Sequence, residues 1–332
     1  MISSSSSNIY YYTNYLTCKI FPNYAANNIT SLFFSTRNIP QRPFEVEFEK
    51  NTKHNILKIP TAGYKERAAK FEENNKDRPE MKLTRAPELP EEITVLEFLP
   101  EENVEKRKAT IVCAHGWDGR GTNFYKFIPK LKEKGFRVLA PDFPKHGNTE
   151  ANETGLHTFS FSINCILNYI KEPTILLAHS VGNVATCMNY YISDEETRNQ
   201  IKGFVGIGAP DKFIENIIDF GKKNGLDNYT NNLFLEKINE RHGIDAHYLT
   251  VSETIKHFNY PCLFIHDDKD KEISIDCSIN SSKNIPEQFQ TYKIRDKEYP
   301  CFHQTSGLGH RRIIRDDNVV NVVVDFISNI KL

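Results

Sequence analysis

The chain has 332 residues, of which 39% are apolar and 26% charged, and its formal net charge is −1. That length allows one large core or two modest ones. The balanced charge excludes the basic footprint of a nucleic-acid binder. No stretch of 18 or more apolar residues occurs, so a membrane span is not expected.

The N-terminus begins MISSSSSNIYYYTNYLTCKIF, and its first basic residue is Lys19. A secretory signal would place basic residues first and an unbroken apolar core after them. A cytoplasmic protein is therefore expected. Residues 1–40 read as an N-terminal extension, partly disordered at the serine run and then forming a short docking helix in YAANNITSLFF. Residues 41–332 read as the main domain. Within it, 43–59 alternates around a polar turn and predicts a hairpin. Residues 61–90 are charge-dense and predict a helix followed by an exposed connection, and 93–99 predicts a strand.

From residue 109 buried strands alternate with amphipathic helices. Strands are predicted at 109–115, 136–142, 173–179, 203–209, 261–267 and 289–294. Helices are predicted at 122–135, 157–170, 181–192 and 316–330, the last capped by Asp316 or Asp317. Such alternation points to an α/β fold, a mostly parallel central sheet with helices on both faces. The segment from about 210 to 257 carries apolar positions at helical spacing and is too long for a bare loop. It reads as a small helical cap over the C-terminal edge of the sheet. The seven cysteines form no C-x-x-C pair. Cys113, Cys165, Cys187 and Cys262 lie in apolar segments and read as small buried hydrophobes in a reducing compartment.

Candidate chemistry centres on Ser180, in LLAHSVGNVA. It falls between a predicted strand and a predicted helix, at the sheet edge where ligands bind. The pentapeptide from Ala178 to Gly182 matches a nucleophile elbow except that its first glycine is alanine. A serine nucleophile needs a base and the base needs an acid. His310 lies in the glycine-bracketed loop SGLGHRR, with His303 as its nearest rival. The loop HDDKD supplies the acid: Asp270 is preferred because it lies one turn beyond the strand end, with Asp267 and Asp268 as alternatives. Two backbone N–H groups are expected to hold the oxyanion. One belongs to Val181. The other belongs to Trp117 in HGWDGRG, where His115 and Gly116 turn the chain. The Trp117 side chain lines an acyl pocket or packs on its own loop. Arg120 binds an acidic substrate or, as the better-supported option, pins the loop to Asp118.

These segments together resemble the α/β-hydrolase fold superfamily. They are similar in particular to bacterial alpha/beta hydrolases that combine HGW[DE]GR, HSxG, HDxxD and GLGHRRI motifs, here HGWDGR (115–120), HSVG (179–182), HDDKD (266–270) and GLGHRRI (307–313). The loop PDFPKHGNT (141–149) resembles that family as well. The resemblance covers roughly residues 109–332 and, more weakly, SLFFSTRNIP at 31–40. It implies Ser180 as nucleophile, Asp270 as acid and His310 as base. It also implies Trp117 and Val181 as oxyanion donors and His115, Gly116 and Gly182 as motif-supporting residues. The implied function is a serine hydrolase of carboxylesterase type that acts on a small-molecule acyl substrate without metal or cofactor. An acyltransferase or thioesterase with the same triad, and a non-catalytic binding protein on the same fold, are the alternatives.

Overall fold

The computed structural model describes residues 4–37, 39–74, 88–105, 109–152, 154–242 and 245–332. Its strands, in chain order, are β1 Asn55–Pro60, β2 Glu92–Phe98, β3 Thr110–Ala114, β4 Arg137–Pro141, β5 Thr174–His179, β6 Ile201–Ile207, β7 Cys262–Asp267, β8 Thr291–Ile294, β9 Lys297–Pro300 and β10 Phe302–Thr305. Eight of them form one sheet in the order β1-β2-β4-β3-β5-β6-β7-β10. β2 runs antiparallel to both neighbours, and every pairing from β4 to β10 is parallel.

Because side chains alternate along a strand, each central strand feeds two cores. Val112 and Ala114 of β3, with Leu176 and Ala178 of β5, face one side. There the helices Leu156–Ile170 and Val181–Ile192 cover them. Ile111, Cys113, Ile175 and Leu177 face the other side. They are covered by the helices Phe127–Glu133 and Asp317–Ser328. This double burial is why the central strands read as continuous apolar runs. The closing helix is capped by Asp316, whose carboxylate accepts from the N–H groups of Asn318 and Val319 at 3.0 and 3.1 Å.

Between β6 and β7 lies the cap, with helices Phe213–Lys223, Asn228–His242 and Val251–Ile255. The predicted docking helix is present as Pro22–Phe33 and packs on this cap. Phe33 sits against Phe220 and Phe234, with ring centroids 5.2 and 5.9 Å away. A preceding helix, Ser4–Ile20, is tied to the same place: Asn14 donates to the Asn224 carbonyl at 2.9 Å. From Ser4 onward, therefore, the serine run is helical rather than disordered; residues 1–3 lie outside the described residues.

Two expectations at the sheet edges are corrected. The hairpin predicted over 43–59 is a helix, Pro43–Asn51, followed by β1 alone. Pro43 is pre-set for a first helical turn, and the Glu45 carboxylate accepts from the Arg42 N–H at 2.8 Å. Phe44 and Phe48 recur at i and i+4 as well as at even spacing. The helical spacing wins because Phe44 packs on Tyr125 and Phe48 on Phe98, with centroids 4.8 and 5.6 Å apart. At the other edge, the strand predicted at 289–294 does not join the main sheet. It forms a separate hairpin, β8 with β9, and β10 takes the edge position instead. The sequence FHQT of β10 has no apolar run, and none of its four residues is fully buried at this edge. The charged segment 61–90 contains the expected helix, Tyr64–Asn74, and the connection expected after it falls largely on 75–87, outside the described residues. No helix among the described residues is long and apolar enough to cross a membrane.

Candidate active site

Ser180 stands between β5 and the helix Val181–Ile192, with φ 56° and ψ −130°. A non-glycine residue at positive φ is strained and is held by its surroundings. Here the Ser180 N–H donates to the Ile207 carbonyl at 3.0 Å, and the Ser180 carbonyl accepts from the Asn183 side chain at 2.8 Å. Gly182 is required by space, because a Cβ there would lie 2.3 Å from the Ala114 carbonyl oxygen. Ala178 is different. It is registered between Ala114 of β3 and Gly206 of β6, so small neighbours leave room for its methyl group.

His310 reaches Ser180 from across the sheet edge. Its Nε2 lies 2.8 Å from Ser180 Oγ, and its Nδ1 lies 2.7 Å from Asp270 Oδ2. His303, the rival candidate, lies on β10 opposite Ile265 of β7. Gly307 and Gly309 adopt φ 83° and 66° in the loop that carries His310, conformations open mainly to glycine. Gly208, at φ 57°, lies beneath the imidazole, where a Cβ would come 3.3 Å from the ring.

The three aspartates of the acid loop separate cleanly. Asp270 faces His310 with Oδ2, while its Oδ1 accepts from the N–H groups of Glu272 and Ile273 at 2.8 and 3.0 Å. Asp267 faces away from the imidazole and holds the histidine loop. It accepts from the Leu308 and Gly309 N–H groups at 2.9 and 2.8 Å and from the Thr305 hydroxyl at 2.8 Å. Asp268 is half-buried and pairs with Lys269 at 3.3 Å. Burial acts to raise the Asp270 carboxyl, but hydrogen bonds from His266 and His310 outweigh it and hold the group well below the usual carboxylate range.

His266 is a partner that motif reading passed over. It is fully buried, its Nε2 lies 3.2 Å from Asp270 Oδ2, and its Nδ1 lies 2.6 Å from the Ser278 hydroxyl. Its only sequence signal is its position four residues before Asp270 inside HDDKD. His179 was likewise unassigned. Its Nε2 lies 2.9 Å from the His310 carbonyl, and burial pushes it down to about 3, so it is neutral near pH 7.

The loop after β3 is built around His115. Its Nε2 accepts from the Phe143 N–H at 3.1 Å, which leaves Nδ1–H to donate to the Gly116 carbonyl at 2.8 Å. Burial holds this imidazole neutral, well below its ordinary value. In a trans peptide the carbonyl and the next N–H point opposite ways, so fixing the Gly116 carbonyl also fixes the Trp117 N–H. Gly116 lies against Ser180: a Cβ there would come 2.9 Å from Ser180 Cβ. The Val181 N–H is at the first turn of its helix and has no acceptor within that helix.

An N-terminal strap crosses this loop. The Trp117 indole N–H donates to the Ser35 carbonyl at 3.3 Å, and Arg37 bonds the Asp118 carboxylate through its backbone N–H at 2.9 Å and its guanidinium at 2.5 Å. Arg120 donates to the Ile39 carbonyl at 2.5 Å. Arg120 thus holds the loop, as expected, but through Ile39; the partner of Asp118 is Arg37. The Trp117 ring both packs on its surroundings and lines a cleft. It stacks near Phe159, with centroids 6.0 Å apart, and borders an apolar cleft of about 360 Å³ with Phe33, Phe213 and Phe220. A second cleft, of about 200 Å³ and lined by charged residues, meets the first at Ser180 and His310.

A family model for the alpha/beta hydrolase fold matches residues 109–248. An uncharacterized hydrolase of Bacillus subtilis is 28% identical over 79 residues, which are 23% of this chain and 29% of that protein. The match therefore spans less than a third of that relative. Among solved structures, an esterase of Pyrococcus furiosus superposes with a TM-score of 0.56 at 12% identity, covering 90% of this chain and 98% of the other. A monoacylglycerol lipase of Paleococcus ferrophilus gives 0.53 at 16% identity, over 71% of this chain and 98% of that one. Est1E of Butyrivibrio proteoclasticus gives 0.52 at 18% identity, over 71% and 93%. At these identities the likeness is one of fold, and the fold is the alpha/beta hydrolase fold.

Proposed function

We propose that this chain is a serine hydrolase that cleaves a carboxylic ester through an acyl-enzyme, with Ser180 as nucleophile, His310 as base and Asp270 as the acid that orients it. The observation that carries the reading is the continuous chain of short contacts, Ser180 Oγ to His310 Nε2 at 2.8 Å and His310 Nδ1 to Asp270 Oδ2 at 2.7 Å. The ionised Asp270 accepts from Nδ1–H, so Nε2 carries the lone pair that takes the serine proton. Ser180 attacks the ester carbonyl while the Val181 and Trp117 N–H groups receive the developing oxyanion. His310 then protonates the departing alcohol. A water molecule, deprotonated by His310, attacks the acyl group and restores Ser180. The buried carboxylate of Asp270 stabilises the imidazolium present in both steps.

The fold shared with the esterases and the lipase is compatible with this chemistry but hosts many others, so the reading rests on the side chains. Reaction with a fluorophosphonate probe tests it directly. Labelling is expected at Ser180 and is expected to vanish in Ser180→Ala and His310→Ala. A folded protein that takes no label, or takes it elsewhere, overturns the reading.

A further inference from the structure

The second cleft at Ser180 carries charge that its own residues do not balance. We propose that it receives an anionic group, a carboxylate or a phosphate, on the alcohol side of an ester whose apolar acyl group lies against Trp117, Phe213 and Phe220. This substrate class rests on the serine-hydrolase reading above.

Five arginines and three acidic residues line the cleft. Asp118 and Glu272 are paired with guanidinium groups and Glu45 is held by neutral donors, so the positive charges of the lining still outnumber the negative ones. Asp118 is held by Arg37, and Glu272 by Arg311 through two contacts at 2.8 and 3.2 Å. Glu45 is buried and accepts from the Arg42 backbone N–H and from the side chains of Thr122 and Asn123 at 3.3 and 2.6 Å. Among the described residues, Arg42 and Arg315 have no carboxylate partner. Both guanidiniums instead lie by one ring, 5.9 and 5.1 Å from the centroid of Phe44. Both residues are half-buried, which weakens solvent screening of their charges. Arg120 adds a third positive charge, and its bond to the Ile39 carbonyl does not neutralise it.

Like charges that line one cleft raise its positive potential, and an anion bound there lowers it. Guanidinium is the side chain best suited to this, since its planar fork matches a carboxylate or phosphate edge. The apolar cleft holds the opposite preference, with aromatic rings bordering it. His310 borders both clefts and is therefore placed to protonate an alcohol leaving into the charged one.

The test compares three aryl butanoates: 4-(butanoyloxy)benzoate, its neutral methyl ester, and 4-(butanoyloxy)phenyl phosphate. The readout is the ratio of kcat/KM for each charged ester to that for the neutral one, divided by the same ratio for alkaline hydrolysis in solution. The wild type is expected to prefer a charged ester by about tenfold. In the Arg42→Gln/Arg315→Gln double variant that ratio is expected to fall to about one, chiefly through KM. A larger gain with the phosphate or with the carboxylate identifies which anion the cleft prefers. Salt provides a second measurement that needs no variant: raising it from about 0.05 to about 0.5 M is expected to shrink the wild-type preference. No preference in the wild type, or one that survives in the double variant, overturns the proposal. Turnover of the methyl ester without a charge preference sinks this proposal alone. Absence of turnover with all three esters, together with no fluorophosphonate label, sinks the hydrolase reading and this one with it.

Discussion

The two ends of the loop after β7 carry aspartates three residues apart that do different work. Asp267, the last residue of β7, spends its carboxylate on backbone N–H groups and one hydroxyl, and so positions the loop that carries His310. Asp270, one turn further, meets the His310 ring itself and is backed by His266. The difference teaches that an acid at a strand end is drawn into backbone packing, whereas one displaced from it is free to face an imidazole. Proximity to the strand is a poor guide to which carboxylate faces the imidazole.

Substitutions sharpen this contrast. The largest expected effect is Asp270→Asn, which presents an amide where the imidazole needs a carboxylate. Turnover of a simple aryl ester should fall by about 10³ to 10⁴ with the fold retained. Asp267→Asn should show the reverse balance. The Leu308 and Gly309 N–H groups bond different carboxylate oxygens, so an asparagine turns its amide hydrogens against one of them, and about 2–3 kcal/mol of stability should be lost in denaturant titration. Its kcat should fall by no more than about tenfold, because Asp270 and His310 remain facing each other. The contrast breaks if Asp267→Asn costs as much turnover as Asp270→Asn.

Acid should separate the carboxylate from the neighbouring imidazoles. His146 and His179, pushed by burial down to about 4 and about 3, are neutral in the folded state. Unfolding near pH 5 should therefore take up about one proton at each, so their contribution makes stability fall as pH drops below about 6.5. Asp270 acts lower. Its depressed carboxyl contributes stability that is present above the ordinary aspartate value, about 3.9, and is lost as pH falls through the folded one. Calorimetry across this range should show a shallower slope between pH 6.5 and 4 for His179→Gln, and Asp270→Asn should alter chiefly the lower limb. The smallest effect is expected for Ala178→Gly. It should leave ester turnover near wild type and cost about 0.5–1 kcal/mol, the ordinary penalty of glycine in a strand interior.

Much of the site was legible because its residues sit at element junctions. Ser180 lies between a run of apolar strand residues and an amphipathic helix, and His310 lies between glycines that only a sharp loop needs. These are local signals, and the structure brings the two residues to 2.8 Å. That Asp270, and not Asp267, meets the His310 ring was also readable, as a matter of distance from the strand end. His266 and His179 were not, since a buried histidine in an apolar strand looks the same whether it packs or supports a neighbour. The strap of Ser35, Arg37 and Ile39 was hidden for another reason. Its bonds span about eighty positions, and two of them use backbone carbonyls, which carry no sequence signature.

Periodicity alone determined the alternating architecture from residue 109 onward. Strands buried on both faces must be apolar throughout, and covering helices must be apolar on one side. Tertiary structure alone decided the edges. Residues 43–51 carry apolar side chains at even spacing and at i, i+4 at once, and Tyr125 and Phe98 select the helix by offering it a surface. The pairing of Thr291–Ile294 with Lys297–Pro300, and not with the sheet, was settled by partner availability, as β10 already occupies the edge of β7. The balance of charge around Ser180 was likewise a tertiary matter. The sequence contains nearly equal numbers of acidic and basic residues, 43 and 42, and only folding decides which arginines find a carboxylate and which are left facing the cleft.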